Sequence, residues 1–522
     1  MIIDRYEPVN LFAFVPQIRT DFEPELRELD QLLDDDLLFQ RVKADLARRA
    51  RRSLSRGRHS TPVEVIVRLL VIKRLYRWSY EQTEHFVGDS LVLRQFCRVS
   101  LQRVPDDTTR IRWAQLIGPE TLEQLNDRVV ELARSLPVTR GRKLRVASTV
   151  VETTIHHPTD SRIVGDGVRV LSRLLRRAQA VVGSTADLGK EALRSHTRSV
   201  RRLAQQFHRL ARRKGEAAAE EMQQAYRRLV TIAQQTCAQA AHVRAVLRAQ
   251  SGQTAQRIGE QFDHFLPLIH QAIDQAVRRV LDGEVVPAKD KMVSLFEPHT
   301  QIIRRHKAGK AVEFGRKLWL EEVDGGLVSG YRVLAEAGQD YPYLADSLAA
   351  HQRRFGKPPW LVTGDRGVFS PANEAVARQA GVKRIAIPAT GKVSVTRQQH
   401  ERVPWFRRGY RFRAGVEGRI RVLQRDFELT CCRDQGERGI GRWVGWGVLT
   451  HNLAKIARTV ARRSVPRAIK VACCSHRLLR SRRPPRSGRP RTWCKMPKLP
   501  RHGSSSGYGA PETSTIAVQE KE

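Results

Sequence analysis

The 522-residue chain carries 93 lysines and arginines against 54 aspartates and glutamates, which gives a formal net charge of +39 at pH 7. A charge of this size favours a polyanionic partner, and nucleic acid is the usual one. No stretch approaches the roughly 18 uninterrupted apolar residues of a membrane-spanning helix, which argues against a membrane protein. The N-terminus MIIDRYEPVN shows no basic region followed by an apolar run. We therefore expect a cytoplasmic protein rather than a secreted one.

The first quarter of the chain predicts helices. Residues 1–55 read as a partly helical leader, and residues 56–136 as a compact helical domain. Val63–Tyr76 predicts an amphipathic helix, and the break that follows it places Ser79 at the N-cap of the next helix. The sequence PDDTT at 105–109 predicts another helix start. Helix-turn-helix segments with basic flanks are a general plan for DNA binding, so we assign this role to the domain.

The rest of the chain predicts an α/β fold with a large interruption. Leu144–Thr154 is rich in β-branched residues and predicts a buried strand within a first core segment, 140–168. Residues 169–290 then repeat apolar side chains at helical spacing, which predicts an inserted arm of long antiparallel helices. Strands return in the segment 291–460, where Asp324-Gly325 predicts a hairpin turn. The final segment, 461–522, is basic and rich in Pro, Ser and Gly, which is typical of a disordered tail or of read-through in a shifted frame.

The stretch Tyr410–Gln424 carries the most informative spacing. Tyr410, Arg413, Glu417 and Gln424 lie three, four and seven residues apart, which places them on one face of a helix. Upstream, Asp365 directly follows a predicted strand at 360–363, so its carboxylate should emerge at the carboxyl edge of the sheet, where ligands of open α/β sheets bind. The sequence therefore predicts one carboxylate at the sheet edge and another on a later helix.

Tyr410–Gln424 resembles the Y-x2-R-x3-E-x6-K signature of DDE transposases of bacterial insertion sequences, with Gln424 at the lysine position. The segments LLVIKRLYRWSYE, PDDTT, VASTVVETT and RWVGWGVLTHNLAKIA are similar to blocks of the same family. The resemblance implies a ribonuclease-H-like α/β core, interrupted by the helical insertion after its first strand and preceded by an all-α domain.

The resemblance also implies the residues of the site. Asp365 and Glu417 would be catalytic and would bind Mg²⁺ or Mn²⁺, since hard cations prefer carboxylates. Contacts to DNA would come from five further residues: Arg366, Tyr410, Arg413, Gln424 and Arg425.

The sequence departs from the family at its first catalytic aspartate, where it has Ala147. A methyl group cannot bind a cation. Substitutes to be considered are three acidic residues further along, Glu152, Asp160 and Asp166. The adjacent His156 and His157 could also be imagined as ligands, but a structural role in the turn before the following proline is the simpler interpretation.

The function implied by the resemblance is movement of an insertion sequence in the bacterial cytoplasm, on the nucleoid. The partner would be double-stranded DNA, both the terminal inverted repeats and the target, and assembly of a homo-oligomer on DNA stays open. Ala147 predicts impaired cleavage. One alternative is a DNA-binding remnant of a transposase without catalysis. Another is a general coating protein for nucleic acid, which the lack of aromatic or glycine-arginine repeats disfavours.

Overall fold

The computed structural model describes residues 2–5, 21–49, 60–182, 194–250, 252–307, 310–336, 338 and 340–464. These residues belong to one compact unit, Met1–Ser464, of mixed α/β class. Within the described ranges no helix is both long and apolar enough to cross a membrane. The predicted tail at 461–522 lies outside them except for 461–464, which continue the last helix instead of being disordered.

In the described part of the chain, a layer of seven helices precedes the sheet: α1 Pro24–Leu32, α2 Asp36–Ala47, α3 Val63–Tyr76, α4 Tyr80–Asp89, α5 Leu91–Phe96, α6 Asp107–Leu116 and α7 Pro119–Ser135. Both predicted helix starts are confirmed. The Ser79 hydroxyl accepts the N–H of Gln82, and the Asp106 carboxylate accepts the N–H of Thr109. Each bond satisfies a backbone donor that the first turn of a helix leaves free.

Helix α3 differs from the amphipathic helix that its sequence predicts, because it is buried on nearly every side. The Arg68 side chain is fully buried. It is accommodated by ion pairs at 2.6 Å to Asp30, 2.7 Å to Asp34 and 2.9 Å to Glu64. A buried cation is tolerated only with such partners, and their positions are not visible in the local pattern.

One mixed sheet forms the centre of the molecule. Its strands are β1 Lys143–Thr153, β2 Gln301–Lys307, β3 Lys310–Val323, β4 Leu327–Val333, β5 Leu361–Thr363, β6 Arg384–Ala386 and β7 Cys431–Cys432. The order β2-β3-β1-β5-β6 has β4 beside β3 and β7 beside β1. Strand β3 runs antiparallel to β1, and Leu320 of β3 lies opposite Ala147 of β1. Strands β5 and β6 run parallel to β1. The predicted turn at Asp324-Gly325 joins β3 to β4.

The chain leaves the sheet after β1 for a helical arm, which has a separate apolar core. The arm consists of α8 Asp160–Val182, α9 Thr197–Leu210, α10 Glu216–Arg248 and α11 Gln253–Ala276. It begins at Asp160, earlier than the predicted position 169. Its base is fastened by Asp160, which accepts from Gln275 at 2.7 Å and pairs with Arg279 at 2.6 Å. The arm is therefore a helical bundle whose first helix is joined to the end of the arm by the polar contacts of Asp160.

The remaining helices cover the sheet: α12 Leu344–Phe355, α13 Pro371–Gln379, α14 Val395–Arg402, α15 Pro404–Asp426 and α16 Gly436–Ser464. Helix α16 packs on α1, α3 and α7 as well as on β4. Arg74 of α3 donates to the carbonyl of Trp443 in α16 at 2.7 Å. The helical layer and the sheet thus share one core.

Candidate functional site

Five of the residues that the sequence singles out line one cavity, the central pocket, with a volume of about 710 Å³. It lies between the sheet and α15. The members that matter for chemistry come from four elements: Ala147 and Ser148 of β1, Lys317 of β3, Asp365 after β5, and Arg413, Glu417 and Gln424 of α15.

Asp365 reaches the pocket because β5 ends two residues earlier and the chain turns into a short 3₁₀ helix, Arg366–Val368. Its Oδ1 atom is buried and has no hydrogen-bond partner among the described residues. Burial, and next the negative charge of Asp340, raise the pKa of Asp365 above its ordinary value. Buried acceptors are normally satisfied, so this oxygen is available for a ligand.

Arg413 stands between the two predicted catalytic carboxylates. Its Nη1 lies 3.0 Å from Glu417 Oε1, and its Nη2 lies 3.6 Å from Asp365 Oδ2. The Glu417 side chain is 64% exposed, whereas that of Arg413 is 18% exposed. The helical spacing therefore does bring Arg413 and Glu417 together, and the guanidinium supplies the positive charge between the carboxylates.

Ala147 faces the same pocket from the middle of β1. Its neighbours on that face of the strand both contact α15: Arg145 donates to the carbonyl of Phe412, and Thr149 accepts from Gln424 at 3.3 Å. Since alternate residues of a strand point the same way, position 147 faces the turn of α15 that holds Glu417. An aspartate here would enter the pocket beside Asp365 and Glu417.

The three acidic substitutes considered from the sequence lie elsewhere. Glu152 stands near the end of β1, opposite Gly315 and beside β7, and is not among the pocket residues. Asp160 fastens the base of the arm, as described above. Asp166 belongs to α8 and pairs with Arg169. His156 and His157 follow β1 and line a groove of the arm.

The predicted DNA contacts are distributed over a wider surface than the pocket. Arg413 and Gln424 line the pocket, whereas Arg366 and Tyr410 are exposed and do not. Arg425 forms a two-bonded pair with the adjacent Asp426, at 2.8 and 3.0 Å, and lines a neighbouring depression with Gln424. The site roles of all these residues stay predictions.

Asp340 is a pocket neighbour that the sequence did not reveal. Its Oδ2 accepts from Ser148 at 2.8 Å and its Oδ1 lies 2.6 Å from Lys317 Nζ. A Cβ placed on Gly367 would meet Asp365 Oδ1 at 3.3 Å and Asp340 Oδ2 at 3.9 Å, so the two carboxylates flank one spot. Asp340 lies in the connection after β4, where no spacing or motif marks it.

The donor set suits one divalent cation better than two. Mg²⁺ is commonly held by one or two carboxylates together with substrate phosphates. Asp365 and Glu417 provide two carboxylates, and Oδ1 of Asp365 has no hydrogen-bond partner among the described residues. A pair of cations needs a further bridging ligand, and Ala147 offers none. Within the described ranges no three His, Cys, Asp or Glu side chains stand close enough to hold an ion by themselves.

Comparison with known proteins gives one family match. Residues 11–116 match the model of the transposase domain DUF772, a range that includes α1 to α6. The chain is also 29% identical over 161 residues to an uncharacterized protein, ORF8 in the nfe locus, of Rhizobium meliloti. That alignment covers 30% of this chain and 73% of the relative. No solved structure matches. The matched domain supports a transposase family for this chain.

Proposed function

We propose that this chain is a DNA-binding transposase of the DDE type with a ribonuclease-H-like core, and that Ala147 impairs its strand cleavage. The observation that carries the proposal is the convergence of positions 147, 365 and 417 on one pocket. They come from a central strand, from the end of the parallel strand beside it, and from a later helix. The strand order β4-β3-β1-β5-β6, antiparallel on one side of β1 and parallel on the other, supports such a core.

The charges of the pocket suit a DNA backbone. Four cationic side chains line it, against the carboxylates of Asp365 and Glu417, so the balance favours phosphate: Arg304, Lys317, Arg413 and Arg421. Guanidinium groups bind phosphate oxygens through two parallel hydrogen bonds. In this proposal Arg413 releases its carboxylates when a phosphate enters and then holds the phosphate in place.

Asp365 and Glu417 are the residues that would hold the divalent cation. When bound, the cation would activate the attacking oxygen and stabilise the leaving one. The residues of the chain position the phosphodiester: Arg413 from α15, Lys317 from β3, and the exposed Arg366 at the rim. The loss of a carboxylate at 147 leaves this arrangement with two acidic ligands.

A second candidate is a DNA-binding remnant without catalysis. The observation in its favour is that Ala147 is only 3% exposed and that no described carboxylate takes its place at that point of the strand. The two candidates differ in whether an acid restored at position 147 restores cleavage.

The test compares Ala147→Asp with Ala147→Asn, a control of the same shape without charge. The substrate is a labelled duplex that carries the terminal repeats flanking the gene, with Mg²⁺ or Mn²⁺ present. We expect cleavage near background for the unmodified chain and an increase of about 10²-fold or more for Ala147→Asp, because one well-placed electrostatic group at comparable sites contributes about that factor.

The asparagine control should remain near background, and Asp365→Asn or Glu417→Gln added to Ala147→Asp should abolish the gain. Strong cleavage by the unmodified chain would contradict the impairment. No gain with Ala147→Asp would favour the remnant.

A further inference from the structure

The helix α9 and the turn after it form the most one-sided charge cluster of the arm. Residues 192–215 contain eight arginines and lysines and no aspartate or glutamate. The apolar residues of α9 face inward and are buried: Val200, Leu203, Phe207 and Leu210. All its arginines are therefore displayed on the opposite, exposed side.

Among the described residues, most of these cations lack the carboxylate partners that other arginines of the arm have, whereas Arg213 pairs with Glu221 at 2.9 Å. Arg201, Arg202 and Arg209 form no ion pair with any residue in the part of the chain that the structure describes. By contrast, Arg244 and Arg248 at the other end of α10 share Asp263. Clustered like charges destabilise a fold through mutual repulsion, so an uncompensated patch of this size is expected to meet an anionic partner.

Two grooves run along the sides of α9 and extend the cationic surface. The larger, about 1270 Å³, includes Arg162, Arg201 and Arg209. The smaller, about 530 Å³, lies between α9 and α10 and includes Arg202, Arg227 and Arg228. Arginines of three helices thus line the grooves beside α9.

The larger groove and the central pocket are lined by residues that lie close together in the sequence. The larger groove begins at His156 and His157, just after β1 ends at Thr153. Six residues before that end, Ala147 lines the central pocket, and six residues of strand span roughly 20 Å. A duplex of ordinary length is therefore long enough to reach from one place to the other.

We propose that the exposed face of α9, with its two flanking grooves, is a second DNA-binding surface that holds the phosphate backbone of a duplex. The proposal rests on the proposed function, because it takes the DNA in the central pocket to continue along the arm. Arg198 and Arg209 lie about 16 Å apart along the helix, which corresponds to about five base pairs along the axis of a duplex. Guanidinium groups bind phosphate oxygens through two parallel hydrogen bonds, and contacts of this surface to the phosphate backbone would be independent of sequence.

The test measures equilibrium binding of the full chain to a duplex at several salt concentrations. The variant is Arg201→Gln/Arg209→Gln, since glutamine removes the charge but keeps a polar side chain and much of the helix propensity. The matched control is Arg248→Gln/Arg257→Gln, which removes the same charge from exposed positions of the same bundle, one of which, Arg248, pairs with Asp263.

We expect the slope of log K against log salt to become shallower by roughly 1.8 for the first variant, because about 0.9 is lost per phosphate contact. The control slope should stay close to that of the unmodified chain, and thermal unfolding should be unchanged in both. Intact duplex binding with an unchanged slope for Arg201→Gln/Arg209→Gln would overturn the arm surface alone. Weakened binding to an RNA hairpin or an anionic vesicle but not to the duplex would also overturn it. Absence of duplex binding by the unmodified chain would overturn the proposed function as well.

Discussion

Asp340 shows how a single residue can organise a site from outside any motif. It fixes Ser148 of β1 and Lys317 of β3 at the edge of the central pocket. Sequence spacing located Asp365 and Glu417 because a strand end and a helical repeat are local patterns. Asp340 could not be found in this way, since its partners lie 192 and 23 residues away.

We predict that Asp340→Asn lowers the free energy of unfolding by about 2 kcal/mol, because it leaves the largely buried Lys317 ammonium without its counter-charge. Urea unfolding measures the change. In the double variant Asp340→Asn/Lys317→Met most of the loss should be recovered. The control, Asp346→Asn, breaks an exposed pair with Arg332 and should cost well under 1 kcal/mol. Additive losses in the double variant would show that the two residues do not interact.

At the scale of elements, the sequence predicted the helices and strands with a regular pattern of burial better than those without one. Periodicity located β1, the β3–β4 hairpin and the long helices, because their burial follows a simple repeat. It missed β7, which has two residues and exists only through pairing with β1. It also missed β2, whose sequence QIIRRHK does not alternate. The sequence of α3 predicts a half-exposed helix, because the ion pairs of Arg68 with Asp30 and Asp34 cannot be read from the residues of α3 itself.

The contact between α12 and the segment before β1 should be sensitive to pH. His351 is buried, and its ring nitrogen Nε2 lies 3.0 Å from the Gly141 carbonyl oxygen. Burial lowers the pKa of His351 from 6.5 to about 4. The unfolded chain therefore takes up this proton first as the pH falls. The stability that neutral His351 contributes is complete above about pH 6.5 and is lost toward pH 4, by up to about 3 kcal/mol.

We expect His351→Gln to flatten the fall of unfolding free energy between pH 6.5 and 4, relative to the unmodified chain. Denaturant unfolding at a series of pH values measures this difference. The exposed His208 of α9 provides the comparison, since His208→Gln should leave the pH dependence as it is. If unfolding free energy falls equally with pH in the His351→Gln and unmodified chains, protonation of His351 does not cause the loss of stability at acid pH.

At the scale of the whole molecule, the helical layer and the sheet pack together around one shared core. Arg74 is buried beside Glu428 and Trp443, 354 and 369 residues further along the chain. The sequence suggested separate segments because composition changes between them, whereas the packing of α16 on both layers depends on tertiary contacts that no local window contains.

The basic C-terminal segment can be tested by removal of 465–522. It carries 13 lysines and arginines against three glutamates. We expect the shortened chain to unfold at nearly the same temperature but to bind random duplex more weakly, with a shallower salt dependence. Calorimetry and binding titrations check the two parts. A large fall in melting temperature would show that these residues stabilise the fold.

The pairing of β1 with β3 has a consequence for synthesis on the ribosome. Ala147 of β1 pairs with Leu320 of β3. At a synthesis rate of 5–20 residues per second, Leu320 is therefore added roughly 10 to 35 s after Ala147. The arm emerges during this interval, and the contacts among α8, α9, α10 and α11 can form before β3 is synthesised. Gln275, which bonds both Asp160 and Met292, then ties the two ends of the arm together. Early closure of the arm would shorten the effective loop that β1 and β3 must close, and so would shorten the time for which a nascent strand edge is open to aggregation.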